Sequence, residues 1–331
     1  MPISTFRLAA ICFLTSLAGC SGSEQQASIS TITASAPATP AAQPRSDIPR
    51  VALIMKTLTN PFFIEMEQGA RRAQQETGID LTVKTATQET SIEQQIKIVE
   101  DATHSGVDAI VIAPGDSVRL VPALKQAQQQ GITIVNIDNR LNAQAMATQQ
   151  MQTVPFISID NEAAAFASAT ALAKRLHAGA EVAIIEGIPS ADNAEQRRRG
   201  AQRAFKQAGL KLVASQSAHW KIDEAYAKTQ KILQQHPRVR GIFCANDMMA
   251  IGASKYLREQ GRQDVQVAGF DAIADARQAV ARGQMVATVD QRAAEQGYQG
   301  VMVALKAIRK QPVSDEIMIQ PIILRTAESR E

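Results

Sequence analysis

The sequence predicts an α/β fold made of two similar halves, each a parallel sheet covered by helices on both faces. From residue 49 onward, short apolar runs alternate with segments that have the periodicity of a helix. The apolar runs are continuous stretches of Val, Ile and Ala, which is typical of strands buried on both faces. The chain of 331 residues is also long enough to bury two separate cores.

The first half contains four predicted strands with three helices between them. The run RVALIMK begins the series, and the helix after it stops at Gly78, a residue that commonly ends helices. The later strands are DLTVK, DAIVIA and ITIVNID, and the helices are PFFIEMEQGARRAQQETG, SIEQQIKIVEDATHSG and VRLVPALKQAQQQG.

The same alternation resumes after a polar stretch over residues 140–153. Its apolar runs and helical segments again follow one another in turn, so we predict a second α/β half of the same design. The strands predicted along the rest of the chain are VPFISID, AEVAIIEG, LKLVASQ, VRGIFCAND, DVQVAGFD and MVATVDQ, and the helices there cover 162–177, 193–208, 223–236, 248–260 and 293–310.

The amino terminus predicts export and lipid attachment. The apolar run Leu8–Leu17 is too short for a bilayer, which takes roughly 20 residues, but it suits a signal peptide. It ends in Leu-Ala-Gly-Cys, which resembles the cleavage site of bacterial lipoproteins, so residues 1–19 would be removed and Cys20 lipidated. The alternative is an ordinary secretory signal in which Cys20 is incidental.

Residues 20–47 predict a disordered tether behind that anchor. The segment is rich in Ser, Ala, Thr, Pro and Gln and lacks the apolar content to pack, and its root-mean-square reach would be roughly 30 Å. Cys12 would leave with the signal and Cys20 would carry lipid. Cys244 is then the remaining cysteine, so no disulfide is expected within one chain.

Composition and motifs exclude several classes of function. The formal net charge of +3 is too small to indicate binding to nucleic acid or to an anionic membrane surface. Membrane contact is therefore expected only through the lipid anchor. The four histidines are scattered on predicted helix ends and loops, so no metal site is expected. The sequence contains no Walker A, dinucleotide-binding or nucleophile-elbow motif, so no cofactor and no catalytic residues are predicted.

Polar and aromatic side chains recur where the predicted strands end. In open parallel sheets, ligands bind beyond the carboxyl ends of the strands. Carboxylates, amides and a guanidinium beside flat rings suit a ligand with many hydroxyls and an apolar ring face, which is a sugar. The residues at these strand ends are Lys56, Asn60, Phe62, Phe63, Asp138, Asn139, Arg140, Arg197, Asn246, Asp247, Asp271, Asp290 and Gln291.

Several of these residues have a structural alternative. We expect Asn246 to contact ligand while Asp247 caps the next helix, although either could be the cap. One of Phe62 and Phe63 should pack in the core while the other faces the ligand. Arg197 should point inward, with Arg198 and Arg199 on the surface. Lys56 would either touch ligand or pair with Asp138 or Asp271.

The chain resembles type I periplasmic binding proteins of the ribose-binding class over about residues 49–325. The segments that carry the resemblance are KTLTNPFF, IVNIDN, NAEQRRRG, GIFCANDMMAIGA, VAGFD and VATVDQ. The resemblance implies two Rossmann-like lobes joined by a three-stranded hinge, with crossings near 157–160, 289–292 and 319–322. The lobes would comprise residues 48–158 with 291–319, and residues 159–290 with 320–331.

The resemblance also implies roles for particular residues. Hydrogen bonds to the sugar would come from Asn60, Asp138, Arg197, Asn246, Asp271 and Gln291, and aromatic stacking from Phe62, Phe63 and Trp220. Two positions depart from the family pattern. Lys56 replaces a small hydroxyl residue of the ribose binders and is more frequent in fructose-type relatives, and Asn139 stands where an arginine commonly follows the aspartate, with Arg140 next. A pentose, a hexose and a ketose all remain open.

The resemblance implies a lipid-anchored periplasmic protein, monomeric, that captures a monosaccharide by lobe closure and delivers it to an ABC permease in the inner membrane. The alternative is that the same domain presents its ligand to a membrane sensor kinase or chemoreceptor. An enzyme on this fold is disfavoured because no nucleophile–base pair or metal-ligand set is present. A transcription regulator would need a helix-turn-helix at its start, where this chain has a signal and tether.

Overall fold

The computed structural model describes residues 48–326. The predicted signal peptide, the predicted lipidation site Cys20 and the predicted tether lie outside the described residues. The strands are β1 (Arg50–Met55), β2 (Asp80–Thr85), β3 (Ala109–Ile112), β4 (Thr133–Ile137), β5 (Phe156–Ser158), β6 (Glu181–Glu186), β7 (Lys211–Ser217), β8 (Val239–Cys244), β9 (Gln266–Ala268), β10 (Ala287–Asp290), β11 (Glu316–Met318) and β12 (Ile322–Arg325).

Helices connect these strands and cover the sheets. The helices are α1 (Pro61–Thr77), α2 (Ile92–His104), α3 (Val121–Gln129), α4 (Ala143–Thr148), α5 (Asn161–Ala173), α6 (Asp192–Gln207), α7 (Ile222–Gln235), α8 (Asp247–Glu259), α9 (Ala274–Ala281) and α10 (Ala293–Ile308). No helix among the described residues is long and apolar enough to cross a membrane.

The strands form two six-stranded sheets. The first has the order β11-β5-β4-β3-β1-β2 and the second the order β12-β10-β9-β8-β6-β7. All neighbouring strands run parallel except β10 and β12, which are antiparallel. The predicted α/β class with two helix-covered parallel sheets is therefore confirmed.

The chain passes between the two sheets three times. Strand β5 belongs to the first sheet, and α5, which follows it, packs on the second. Strand β10 belongs to the second sheet, and α10, which follows it, packs back on the first. The third passage joins β11 of the first sheet to β12 of the second. We call each sheet with its helices a lobe, the first lobe containing the first sheet.

Helices α1 and α10 of the first lobe approach each other closely because glycines face backbone. A Cβ atom at Gly69 would lie 1.7 Å from the carbonyl oxygen of Ala294, and one at Gly297 would lie 2.0 Å from that of Met66. No side chain fits at either position. The two helices, although far apart in sequence, therefore form one packed layer on the first sheet.

Four elements were not predicted, and one helix begins later than predicted. Helix α4 interrupts the polar stretch 140–153, α9 follows β9, and β11 and β12 are short edge strands. Helix α3 starts at Val121 because the Asp116 side chain accepts hydrogen bonds from the backbone N–H groups of Val118 and Arg119, both at 2.8 Å. Those bonds hold the preceding residues in a turn.

Candidate functional site

The carboxyl ends of both sheets border a small cavity. A wider groove between α8 and α9 lies away from the strand ends and lacks convergent carboxylates. The cavity is lined by Lys56, Asn60, Phe62, Phe63, Glu89, Asp138, Asn193, Arg197, Trp220, Asn246, Asp271 and Gln291.

A buried ion pair forms the first-lobe floor of the cavity. Lys56 Nζ lies 2.8 Å from Asp138 Oδ2, and the two side chains are 3% and 2% exposed. Asp138 follows β4 with a left-handed φ of 61°. Of the alternatives left open by the sequence, Lys56 therefore pairs with Asp138. A buried pair is stable only when both charges keep their partners.

Arg197 provides the opposing positive charge from α6 of the second lobe. Its Nε donates to Asn161 Oδ1 at 2.8 Å, and its Nη1 donates to the carbonyl oxygen of Ala245 at 2.9 Å. Its Nη2 donates to Gln291 Oε1 at 3.0 Å, and the guanidinium lies 3.9 Å from the centre of the Phe270 ring. Burial lowers the pKa of Arg197 from its ordinary value. Arg197 points inward, as predicted.

Asp271 lies beside this guanidinium. Its Oδ1 accepts a hydrogen bond from Gln291 Nε2 at 2.6 Å and lies 3.5 Å from Arg197 Nη1. Burial raises the pKa of the Asp271 carboxyl well above its usual value, and the charge of Arg197 opposes that rise. Residue 271 has a φ of 118°, which is unusual for a residue with a side chain.

The aromatic side chains enclose the cavity from both lobes. Phe62 and Phe63 are both buried, and their ring centres lie 5.0 Å apart at an interplanar angle of 81°. Both rings line the cavity, so the expected division into one core ring and one cavity ring is not observed. Trp220 faces them from the second lobe and packs on Gly187, where a Cβ atom would lie 2.0 Å from the indole.

The helix cap after β8 is Asn246, and the prediction that Asp247 caps α8 is wrong. Asn246 has an extended backbone, and its Oδ1 accepts from the backbone N–H of Met249 at 2.9 Å. Asp247 instead accepts from Thr288 Oγ1 at 2.8 Å and from the backbone N–H of Ile273 at 3.0 Å. Burial raises the pKa of Asp247 to about 7. Asn246 therefore both caps the helix and borders the cavity.

Two predicted ligand residues, Asn139 and Arg140, do not line the cavity. Asn139 is buried behind it, where its Nδ2 donates to the carbonyl oxygen of Pro114 at 3.0 Å. Arg140 lies on the surface, pairs with Glu316 and stacks on the Phe156 ring at 3.9 Å. The left-handed turn at Asp138 directs that carboxylate into the cavity and the next two side chains away from it.

Two cavity residues, Glu89 and Asn193, were not predicted. Glu89 follows β2, and its Oε1 accepts from Asn60 Nδ2 at 3.0 Å. Burial raises the pKa of Glu89, and the charge of Lys56 opposes that rise. Asn193 lies in the first turn of α6, and its Nδ2 donates to Asp138 Oδ1 at 3.4 Å. In the sequence, Glu89 lies just before a predicted helix and Asn193 at the start of another, so neither directly follows a predicted strand.

Other polar residues near the strand ends form ion pairs and do not line the cavity. Arg198 pairs with Glu195, and Arg199 pairs with Glu162 at 3.0 Å, both on the surface. Asp290 pairs with Arg277 at 2.9 Å. His219 Nδ1 lies 2.6 Å from Glu224 Oε2, outside the cavity lining. Within residues 48–326, no group of acidic, histidine or cysteine side chains could hold a metal ion.

The sequence model of the periplasmic binding protein domain matches residues 51–312. The chain belongs to the periplasmic binding protein family. Within this family, the D-ribose/D-allose-binding protein of Pseudomonas aeruginosa is 41% identical over 84% of this chain and 89% of its own length. The D-allose-binding periplasmic protein of Escherichia coli is 35% identical over 77% of this chain and 83% of its own length.

A solved structure of the family has the same fold as this chain. It is an ABC transporter periplasmic solute-binding protein from Actinobacillus succinogenes with bound D-allose. The TM-score is 0.79 and the sequence identity 38%, and the match covers 84% of this chain and 98% of the other. The two lobes and their cavity are therefore the arrangement of a periplasmic solute-binding protein.

Proposed function

We propose that this periplasmic binding protein captures one neutral monosaccharide between its lobes and delivers it to an ABC importer. The observation that carries the proposal is the lining of the cavity at the strand ends, where polar groups with both signs of charge lie beside aromatic rings. Two cationic side chains, Lys56 and Arg197, pair with Asp138 and Asp271. Burial raises the pKa of the third carboxyl group in the lining, that of Glu89, and so favours its neutral form. A ligand that carries a full charge would unbalance these pairs, whereas hydroxyl groups can both donate to and accept from them.

Hydrogen bonding and stacking together favour a sugar ring. Asp138 and Asp271 offer carboxylate oxygens, and Asn60, Arg197 and Gln291 offer N–H groups that can point at hydroxyls. Phe62, Phe63 and Trp220 offer flat apolar surfaces for the C–H face of a pyranose or furanose. We propose ligand contact for these residues and for Lys56, Asn246, Glu89 and Asn193.

The named relatives narrow the class of sugar to aldoses of the ribose and allose type. One relative is named for D-ribose and D-allose, another for D-allose, and the similar solved structure contains D-allose. D-ribopyranose and D-allopyranose share the configuration of their ring hydroxyls and differ by one hydroxymethyl group. Lys56, whose presence suggested a ketose, is held by Asp138. A ketohexose is therefore the comparison ligand and not the proposed one.

The cellular setting completes the proposal. A periplasmic location follows from the family, and an inner-membrane ABC permease is the proposed partner, with the protein acting as a monomer and not as an enzyme. Attachment to the membrane through a lipidated Cys20 is proposed from the sequence Leu-Ala-Gly-Cys. The lobes are proposed to comprise residues 48–158 with 291–319 and residues 159–290 with 320–331, hinged where the chain crosses between the sheets.

A calorimetric and thermal-shift screen tests the function. The purified protein is titrated with D-allose, D-ribose, D-fructose, myo-inositol and an amino-acid mixture. We expect D-allose and D-ribose to bind and to stabilise the protein by about 2.7 kcal/mol at a hundredfold excess over the dissociation constant. Stabilisation by an amino acid in the absence of any sugar effect would refute the proposal.

A further inference from the structure

Three buried polar atoms on the cavity wall have no hydrogen-bond partner among residues 48–326. One of them, Asp138 Oδ2, lies in the ion pair with Lys56. The other two are the indole Nε1 of Trp220 and the amide Oδ1 of Asn193. Both side chains line the cavity, and they are 4% and 2% exposed. Buried polar groups are nearly always paired, so an unpaired donor and an unpaired acceptor on one small cavity need a physical reason.

The indole of Trp220 is held in place and cannot turn to find a protein partner. Its ring lies against Gly187, where a Cβ atom would come within 2.0 Å of two indole carbons. Residues 219 and 220 both have positive φ, 49° and 68°, so the loop presents the side chain in a backbone conformation that few residues adopt. Strained positions of this kind persist at ligand sites because the surrounding structure fixes them.

The amide of Asn193 is fixed as well, and its orientation is determined by charge. Its Nδ2 faces Asp138 Oδ1 at 3.4 Å, and a carboxylate accepts but cannot donate. The backbone N–H of Asn193 donates to Asn139 Oδ1 at 3.1 Å, which fixes the position of the residue. The unpaired atom is therefore the carbonyl oxygen, an acceptor.

We propose that Trp220 Nε1 donates to one sugar oxygen and that Asn193 Oδ1 accepts from a sugar hydroxyl, so that these two residues determine specificity. The inference rests on the proposed function and adds to it. The Nε1–H bond lies in the plane of the indole, so the oxygen that it contacts lies at the edge of the ring. A phenylalanine at this position could stack on a sugar but could not recognise that oxygen.

The inference defines the ligand more narrowly than stacking alone. A deoxy sugar that lacks the relevant hydroxyl leaves a buried donor or acceptor unpaired, and sites built to pair with a hydroxyl strongly reject analogues without it. We expect the monodeoxy derivative of D-allose that lacks the oxygen contacted by Trp220 to bind the protein more weakly than D-allose does. The same holds for the derivative that lacks the hydroxyl contacted by Asn193.

The test uses the fact that Trp220 is the only tryptophan in the chain. Producing the protein with 3-benzothienyl-L-alanine in place of tryptophan replaces one N–H by sulfur and keeps the aromatic face. Both proteins are titrated by calorimetry with D-allose and its monodeoxy derivatives. We expect the substituted protein to bind D-allose about tenfold more weakly than the parent protein does. The derivative that lacks the contacted oxygen should bind the parent and the substituted protein equally well.

The same titrations with D-allose and its monodeoxy derivatives are repeated on Asn193→Ala, and Asn142→Ala serves as the matched control. Asn142 is exposed and lies away from the cavity, where its Oδ1 caps helix α4. The inference is overturned if D-allose binds the substituted protein and Asn193→Ala as tightly as the parent. If the parent protein binds none of the sugars, the proposed function itself is refuted. That outcome differs from the one that refutes only the roles of Trp220 and Asn193.

Discussion

The backbone N–H of Asp192, in the second lobe, donates a hydrogen bond at 3.0 Å to Ser117 Oγ, in the first lobe. The backbone N–H of Ser117 in turn donates to the carbonyl oxygen of Ser190, also at 3.0 Å. A third bond joins Asn193 N–H to Asn139 Oδ1. Neither Ser117 nor Asn139 lines the cavity, so these bonds hold the lobes together without touching a ligand.

Removing the Ser117 hydroxyl should weaken binding although no ligand contact is lost. Ser117→Ala deletes the acceptor for Asp192 N–H, and a bond of this kind contributes about 1 kcal/mol to the closed arrangement. We expect the affinity for D-allose to fall about fivefold, mainly through faster dissociation in stopped-flow experiments. Ser105→Ala, which removes a hydroxyl bonded within the first lobe at 2.8 Å, serves as the control. Equal dissociation rates in the two variants would refute the role assigned to Ser117.

The Lys56–Asp138 pair should stabilise the fold only while both charges are present. Lys56→Met leaves a carboxylate buried without its cation, and breaking a buried pair typically costs about 3–5 kcal/mol. The double variant Lys56→Met/Asp138→Leu should recover much of the stability in urea denaturation but should not bind sugar. A double variant less stable than Lys56→Met alone would show that the pair is not the source of the loss.

Asp138 also carries a separate prediction for binding. Asp138→Asn keeps the shape of the side chain and removes its charge, and charge-assisted hydrogen bonds contribute roughly 1.5–3 kcal/mol. We expect ten- to a hundredfold weaker binding by calorimetry. Unchanged affinity in a folded Asp138→Asn protein would remove this carboxylate from the site.

A methyl group at Gly187 should displace the indole of Trp220. The added Cβ atom would lie 2.0 Å from the ring, so Gly187→Ala must move the ring and should weaken sugar binding at least tenfold. Tryptophan emission, which reports Trp220 alone, should change on ligand binding in the parent and much less in the variant. Gly179→Ala is the control, because its Cβ atom would meet open space although its φ of 79° adds strain. Similar affinity losses in the two variants would point to general destabilisation.

The buried carboxyl of Asp247 predicts how stability depends on pH. Its pKa is raised by burial from 3.8 to about 7, so between these values the folded protein binds more protons than the unfolded chain. The free energy of unfolding should therefore decrease as pH rises through this window, by about 1.4 kcal/mol per pH unit for one proton. Urea denaturation at several pH values measures this slope.

Asp247→Asn should flatten that slope between pH 5 and 7 relative to the parent. Asp264→Asn is the control, because the pKa of Asp264 is lowered through its hydrogen bond with Arg262 and its titration lies below this window. An unchanged slope in Asp247→Asn would assign the effect to other carboxyls. Asp271 and Glu89, whose pKa values are also raised by burial, are the next candidates.

The sequence predicted the sheets and most of the cavity for one physical reason. Short continuous apolar runs are typical of strands buried on both faces, and the residues that follow parallel strands of one sheet lie at the same edge of it. This places Asn60, Asp138, Arg197 and Asp271 around one space without knowledge of any distance. Edge strands such as β11 and β12, with three and four residues, are too short to give such a signal.

The misplaced residues depend on backbone angles that the sequence does not reveal. A φ of 61° at Asp138 decides that Asn139 and Arg140 point away from the cavity. Neighbouring residues such as Asn246 and Asp247 have similar preferences for the cap position, and the tertiary contacts of Asp247 with Thr288 and Ile273 separate them. Glu89 and Asn193 come to the cavity through the packing of loops and helix starts, which periodicity does not describe.

Because the chain passes between the lobes three times, the lobe that is synthesised first is not the lobe that is completed first. The first lobe begins at the amino-terminal side of the described residues but needs α10 and β11, which lie near residue 300 and beyond. The glycine contacts of Gly69 and Gly297 cannot form until that late segment has been made. A growing chain interrupted after residue 290 would therefore hold most of the later lobe and an unfinished earlier one.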